Sequence, residues 1–452
     1  MSSTNLLVGF GRRDLTPDYP VPLAGYGNTR KRMNQGWYNR IYATCIAITD
    51  EKEQTFLLFT VDTIRCVQSW TNAVRQRICA QTDIPAEHIM LCATHTHSAP
   101  DIGAALDEAS QFFSDYVDTL TAAAMDALSD RVSTKAAATG KTQIPGLTFV
   151  RHFTLEDGSV TGDNFGSAAG HTITGYTMPA DEQMQLLRLI RDGKPDVLLI
   201  NWQAHPTVAS NSVTESGRLL RPFLGADYVG SCRDYVEAET GMLFAFFQGA
   251  SGNLNSRTRI KADMPTTDYR TYGQRVGSFV VEALNSMEEA YVGGLQTKQQ
   301  IYVGKLDHTE DGMVETARKI YEAWTQTNNL AETKKMGEPF GIHSPYHAGA
   351  VIRRSKAGTE RSVEINAIAL GDVALITAPY EMFCNSGQFI KENSPYATTF
   401  ICTSSNDVAN YIASGEAFDH GCYEVDNRTF VRGTAEELAD AYVQMLGELK
   451  NA

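Results

Sequence analysis

Six short apolar runs, each breaking off into polar or reactive residues, constrain this chain more than any other feature. They are TFLLFTVDT (55–63), HIMLCATHTH (88–97), DVLLINWQAH (196–205), MLFAFFQGASGN (242–253), VALITAPYE (373–381) and TTFICTSSND (398–407). Near-continuous apolar runs of this length fit strands covered on both faces. Segments with helical spacing lie between them, at 110–129, 268–289, 310–327, 381–392 and 434–449. The alternation predicts an α/β fold, a mixed β-sheet core with surrounding helices. RDGKP and EDGS supply turn chemistry for hairpins. With no internal repeat and no Pro-, Gly- or Ser-rich linker, one domain over 1–452 is expected. The polar stretch 325–362 reads as an excursion from it, or a lid.

The chain's 452 residues, 42% hydrophobic and 20% charged, suffice for a large buried core. A net charge of −14 without any Lys/Arg block argues against nucleic acid or an anionic membrane as partner, and points to a small-molecule substrate. No window approaches the run of about 20 apolar residues that spans a bilayer, so stable membrane insertion is not expected. The N-terminal MSSTNLLVGFGRRDLTPDY lacks the pattern of a secretory signal, so a cytoplasmic protein is expected. Eight scattered cysteines without a CxxC pair suggest reduced, mostly buried thiols. The oligomeric state is open, and a homo-oligomer is compatible with the sequence.

Ligands of open α/β sheets sit beyond the carboxyl ends of strands. His95, His97, His205, Asn253, Glu381 and Asn406 all fall at such ends, so they converge on one rim if the strands share a sheet. His95 and His97 are two apart, and on extended backbone their imidazoles share a face. Zinc favours neutral imidazole combined with a carboxylate and an open position; proton chemistry or ordinary loop polarity explains the pair equally well. His205, followed by Pro206, reads alone as a structural strand end. Glu381 alone reads as a favourable contact with a helix dipole. Tyr411 and Tyr423, in NYIASGEAFDHGCYE, read alone as ordinary aromatics. The loop QGASGNLNSR (248–257) either presents backbone N–H groups to an anion or is a tight turn. GIHSPYHAG offers His343 or His347 to a pocket, with surface polarity as the simpler reading.

The order of these pieces along the chain carries more than any one of them. GRRDLTPDYPVPLAGYG, CATHTHSAPD, FVRHFTLEDGSV, NWQAHPT, GADYVG, GASGNLNSR, TAPYEMF and NYIASGEAFDHGCYE together resemble the neutral, non-lysosomal ceramidase family. ATHTHSAP is the most specific of them. The resemblance implies that family's catalytic-domain fold, in a short form without its C-terminal β-sandwich. It implies a zinc ion held by His95, His205, Glu381 and Tyr411. His97 would face the substrate as acid/base or hydrogen-bond donor, Arg151 would bind the carbonyl oxygen or a neighbouring hydroxyl, and Tyr423 would complete the catalytic set. Asn253, Asn255 and Ser256 are the candidate substrate contacts. Asn255 stands where ceramide-cleaving members carry a serine, which implies different contacts to the polar head. The expected activity is a zinc-dependent hydrolase acting through activated water on an amide or related carbonyl compound, with a soluble substrate favoured over membrane ceramide. Two alternatives are a zinc lyase or ring-opening enzyme on a polyhydroxylated substrate, and a binding protein without turnover.

Overall fold

The computed structural model describes residues 6–27, 32–162, 170–213, 217–256 and 268–452. The run TFLLFTV explains the layering. Phe56 and Leu58 point to one face of their strand, Leu57, Phe59 and Val61 to the other, and all five are buried. A strand with two apolar faces needs a layer on each side.

The larger sheet is built from β1 (Leu7–Asp14), β2 (Tyr42–Thr49), β3 (Thr55–Val61), β4 (Ile89–Ala93), β5 (Val132–Gln143), β6 (Gln183–Arg191), β7 (Val197–Trp202) and β8 (Leu243–Gln248). Their spatial order is β8-β7-β6-β5-β1-β2-β3-β4, with the short strand Glu288–Ala290 pairing beside β5. A second sheet, from β9 (Leu295–Lys305), β10 (Glu360–Leu370), β11 (Val373–Thr377) and β12 (Thr398–Cys402), runs in chain order. Leu58, Leu199, Phe247, Leu375 and Phe400 belong to one buried cluster between the two sheets. Helices α1 (Gln68–Cys79) and α2 (Gln111–Ser129) cover the outer face near β2–β4; α3 (Asp227–Thr240) and α4 (Tyr269–Ala283) cover it near β6–β8. The outer face of the second sheet packs on the last helix, Thr434–Lys450, through Leu438, Tyr442 and Leu446. Each fully buried Phe or Leu in these layers contributes roughly 1.5–3 kcal/mol.

Within these two sheets antiparallel pairing dominates, with three parallel exceptions among the described residues: β3 with β4, β7 with β8, and β11 with β12. Each parallel pair is joined by a crossover helix, α1, α3 and the helix Cys384–Asn393 respectively, making three βαβ units. The pairs also end in register, at Val61↔Ala93, Trp202↔Gln248 and Thr377↔Cys402. All six apolar runs are the strands of these units, and all five helical segments contain a helix. The hairpin turns are present too, with Gly193 and Gly158 at φ +69° and +81°, where a Cβ would be strained.

One detail differs from the sequence reading. Glu381 does not open a helix. It lies in a two-residue strand, Glu381–Met382, parallel to Tyr411–Ile412, and the helix starts at Cys384. The polar stretch 325–362 is ordered as helices. After α5 (Val314–Thr327) come α6 (Leu330–Gly337) and α7 (Pro345–Lys356), and α5 packs on α7 through Ala317, Ile320, Ala348 and Val351. Segment 163–169 lies outside the described residues.

Candidate metal centre and cavity

The three βαβ units deliver their carboxyl ends to one place because loop 403–407 ties them together. Thr403 N–H donates to the Gln248 carbonyl at the end of β8 (3.0 Å), and Asn406 N–H donates to Leu91 of β4 (2.9 Å). Asn406 Oδ1 returns the bond by accepting from Leu91 N–H at 2.9 Å. Asn201, on β7, bridges the sheets by donating to Phe247 and Ile401 carbonyls and accepting from Ile401 N–H, each at 2.9 Å. Beyond β4, Thr94 and His95 still donate to Val61 and Thr63 carbonyls, and Thr94 Oγ1 bonds Asp62, itself paired to Arg233 at 2.8 Å. His95, Ser404, Asn406 and Asn410 all hold positive φ, a costly conformation that clusters at functional sites.

Here three imidazoles meet. His95 Nδ1 donates to the Ile64 carbonyl at 2.6 Å, with Ser404 Oγ at 3.4 Å. His97 Nδ1 donates to the Gly25 carbonyl (3.3 Å), and His205 Nδ1 to Ser251 (3.2 Å). A carbonyl only accepts, so each ring carries a proton on Nδ1 and turns its Nε2 inward. His97 and His205 Nε2 stand 2.9 Å apart, and the three residues offer ligand atoms within 4.8 Å of one another. His95 Nε2 lies 3.4 Å from Glu381 Oε2, and neither buried atom has a hydrogen-bond partner. Burial first, then the neighbouring His95, push the pKa values of His97 and His205 well below the usual histidine value, so both rings are neutral. Burial raises the Glu381 carboxyl, but His95, Tyr411 and Arg151 outweigh it and hold it ionised.

Three imidazoles and the Glu381 carboxylate thus gather here, with His95 Nε2 and Glu381 Oε2 buried and without a hydrogen-bond partner. A cation satisfies that set, and backbone carbonyls behind each ring are the orienting partners metal-binding histidines require. Imidazole nitrogens with a carboxylate suit zinc. Tyr411 joins the group through its pairing with Glu381, a buried tyrosine whose hydroxyl pKa is raised by burial and then by Glu381.

Around this centre the sequence candidates divide. His95, His97, Glu381, Tyr411 and Tyr423 line a cavity of about 650 Å3; His205 and Arg151 lie behind its wall. Arg151 sits against the rings of Tyr411 and Tyr423 (5.7 and 5.8 Å) and hydrogen-bonds Tyr411, while donating to Glu424 at 2.5 Å and the Gly252 carbonyl at 2.6 Å. Asn253 is fully buried and turned to the backbone, its Oδ1 accepting from Cys384 N–H at 2.8 Å. Asn255 pairs with Phe149 in a short strand, and Ser256 Oγ is 3.3 Å from Thr207 Oγ1. Neither lines the cavity, and the rest of that loop, from Arg257, lies outside the described residues.

Several residues were not singled out beforehand. Glu424, beside Tyr423, is buried and bridges Arg151 and His152 (2.9 Å to His152 Nε2). Asp227 accepts from Val208 and Ala209 N–H, holding the turn after His205; burial pushes its carboxyl up to about 6 against those bonds. Gly25 has φ +100°, and a Cβ there would meet His97 at 2.6 Å. GADYVG and AGYG had flagged the last two positions without saying why.

His347 is buried rather than a surface residue, and His343 is exposed. His347 Nδ1 accepts from His343 N–H and its Nε2 donates to Glu310 (3.0 Å), so this pair is already satisfied. Neither reaches the cavity with His95.

Residues 6–220 match the family model described as neutral/alkaline non-lysosomal ceramidase, N-terminal. No curated protein matches the chain in sequence. Among solved structures, the chain is similar to the neutral ceramidase from Pseudomonas aeruginosa, with TM-score 0.73 and 18% identity over 100% of this chain and 75% of that one. It is also similar to a ceramidase complexed with C2, with TM-score 0.70 and 16% identity over 99% of this chain and 76% of that one.

Proposed function

We propose that the chain, whose residues 6–220 match the neutral/alkaline non-lysosomal ceramidase model, is a member of that family and a zinc-dependent hydrolase that cleaves an amide of the N-acyl type. The observation that carries the reading is the convergence of three imidazoles beside the Glu381 carboxylate, with His95 Nε2 and Glu381 Oε2 buried and unpartnered. His95, His205, Glu381 and Tyr411 would hold the metal. When bound, zinc would supply an activated water and polarise the substrate carbonyl.

The protein's own groups do the rest. His97 differs from His205 in lining the cavity, so it is the imidazole that meets substrate. Its Nδ1 proton is committed to Gly25, leaving Nε2 to take a proton from water and pass it to the leaving nitrogen. Tyr423, at the cavity wall, donates to the oxygen that gains charge. Arg151 keeps Tyr411 and Tyr423 in place and lends positive charge behind them. The cavity walls include Asn410, Asn427, Asp407 and Arg65, which favours a polar substrate over a long lipid chain. No helix among the described residues is long and apolar enough to cross a membrane.

Reaction in heavy-oxygen water tests the reading. Hydrolysis places the label in the released carboxylate; products free of label mean elimination or ring opening and overturn it.

A further inference from the structure

The helical segment 314–356 brings a charge into the cavity that nothing in the proposed chemistry uses. Arg353, on α7, lines the cavity with Tyr346 and Gly349, and its Nη1 lies 3.5 Å from where a Gly349 Cβ would stand. Among the described residues it makes no ion pair and no hydrogen bond. Its neighbours in charge are cations, not carboxylates. Its side chain is solvent-accessible at the cavity mouth, and partial desolvation there, then the like charges of Arg354 and Arg65, push its guanidinium pKa down.

The other charges in the cavity are accounted for. Glu381 belongs to the metal centre, 3.4 Å from His95, and Asp407 is paired with Arg361 at 2.9 Å. Arg65 stands 3.8 Å from Asp101, close enough to balance its charge but too far to hydrogen-bond it. Both Asp101 oxygens are buried and accept no hydrogen bond, so the Arg65 fork is not closed by its carboxylate. One positive charge, that of Arg353, is left over. Tyr321, Trp324 and Tyr346 form aromatic walls from the same two helices.

We propose that Arg353, assisted by Arg65, anchors a monoanionic carboxylate on the substrate, so that the amides this protein takes are N-acyl amino acids. This rests on the amide-hydrolase reading and names its substrate class. A single surplus cation matches one carboxylate better than a dianionic phosphate. The aromatic walls receive the apolar part of the acylated amino acid. Selectivity therefore resides in the segment that the sequence set apart as a polar excursion.

The test compares two probes differing only at the proposed anchor, N-acetyl-phenylalanine and its neutral carboxamide, titrated calorimetrically into zinc-loaded full-length protein. The acid should bind about tenfold tighter or better, as a charge-assisted, partly desolvated pair allows. Arg353→Ala should abolish the preference, leave the carboxamide within about twofold, and keep zinc content and melting temperature unchanged; Arg353→Lys should retain part of it. Equal affinity for both probes, equal loss of both in Arg353→Ala, or binding of neither would overturn the proposal. Release of free phenylalanine is scored separately. Preferential binding without release sinks the hydrolase reading alone, and release without preference sinks the anchor alone.

Discussion

Glu424→Gln is the substitution that most sharply separates support of the centre from membership in it. Glu424 is 1% exposed and accepts from Arg151 Nε at 2.5 Å and His152 Nε2 at 2.9 Å. Burial alone would raise its carboxyl, but Arg151 and His152 outweigh that and keep it ionised. Glutamine preserves volume and one acceptor while removing the charge, which strands the Arg151 guanidinium in the interior. Breaking a buried pair from one side costs about 3–5 kcal/mol, and the retained acceptor places this case at about 3 kcal/mol. Urea unfolding followed by tryptophan fluorescence should show that loss. The double variant Arg151→Met/Glu424→Gln should recover part of it, because the stranded charge is gone. Zinc content should be unchanged, since no ligand is touched. A loss below about 1 kcal/mol would refute a buried, charge-balanced bridge, and loss of zinc would move Glu424 into the metal site.

Two further outcomes follow from the same geometry. Gly25→Ala should lower stability by about 1–3 kcal/mol and depress kcat without removing zinc, because a Cβ at φ +100° is strained and meets His97 at 2.6 Å. Burial would raise the Asp307 carboxyl, but Arg428 at 2.7 Å and Thr309 outweigh it and hold it at about 2. Its folded value lies below the ordinary 3.8, so its contribution of about 2 kcal/mol is complete above pH 4 and is lost as pH falls from about 4 to about 2. Arg428→Met should flatten that part of an acid-denaturation profile.

The strands were legible because both of their faces are buried: TFLLFTV and IMLCA have no polar alternation to confuse. The rim was legible because parallel strands end where chemistry collects, so His95, His205 and Glu381 could be placed together before any contact was visible. What single positions could not reveal was pairing at long range. Glu381 looked like a helix start because its partner strand, Tyr411–Ile412, begins 30 residues later. Asn253 looked like a pocket residue because a Gly/Ser/Asn loop suggests exposed amides, whereas its side chain caps the backbone at Cys384. The polar composition of 325–362 concealed amphipathic helices whose apolar residues, Ile342, Ala348 and Val351, meet α5.

Metal content measured on chelator-washed protein re-equilibrated with zinc tests the central claim most directly, with His95→Ala and Glu381→Gln alongside. The account predicts about one zinc per wild-type chain and a loss of affinity of roughly tenfold or more in each variant, with folding retained. Wild-type protein that holds no zinc, or variants that hold it as tightly as wild type, would contradict it.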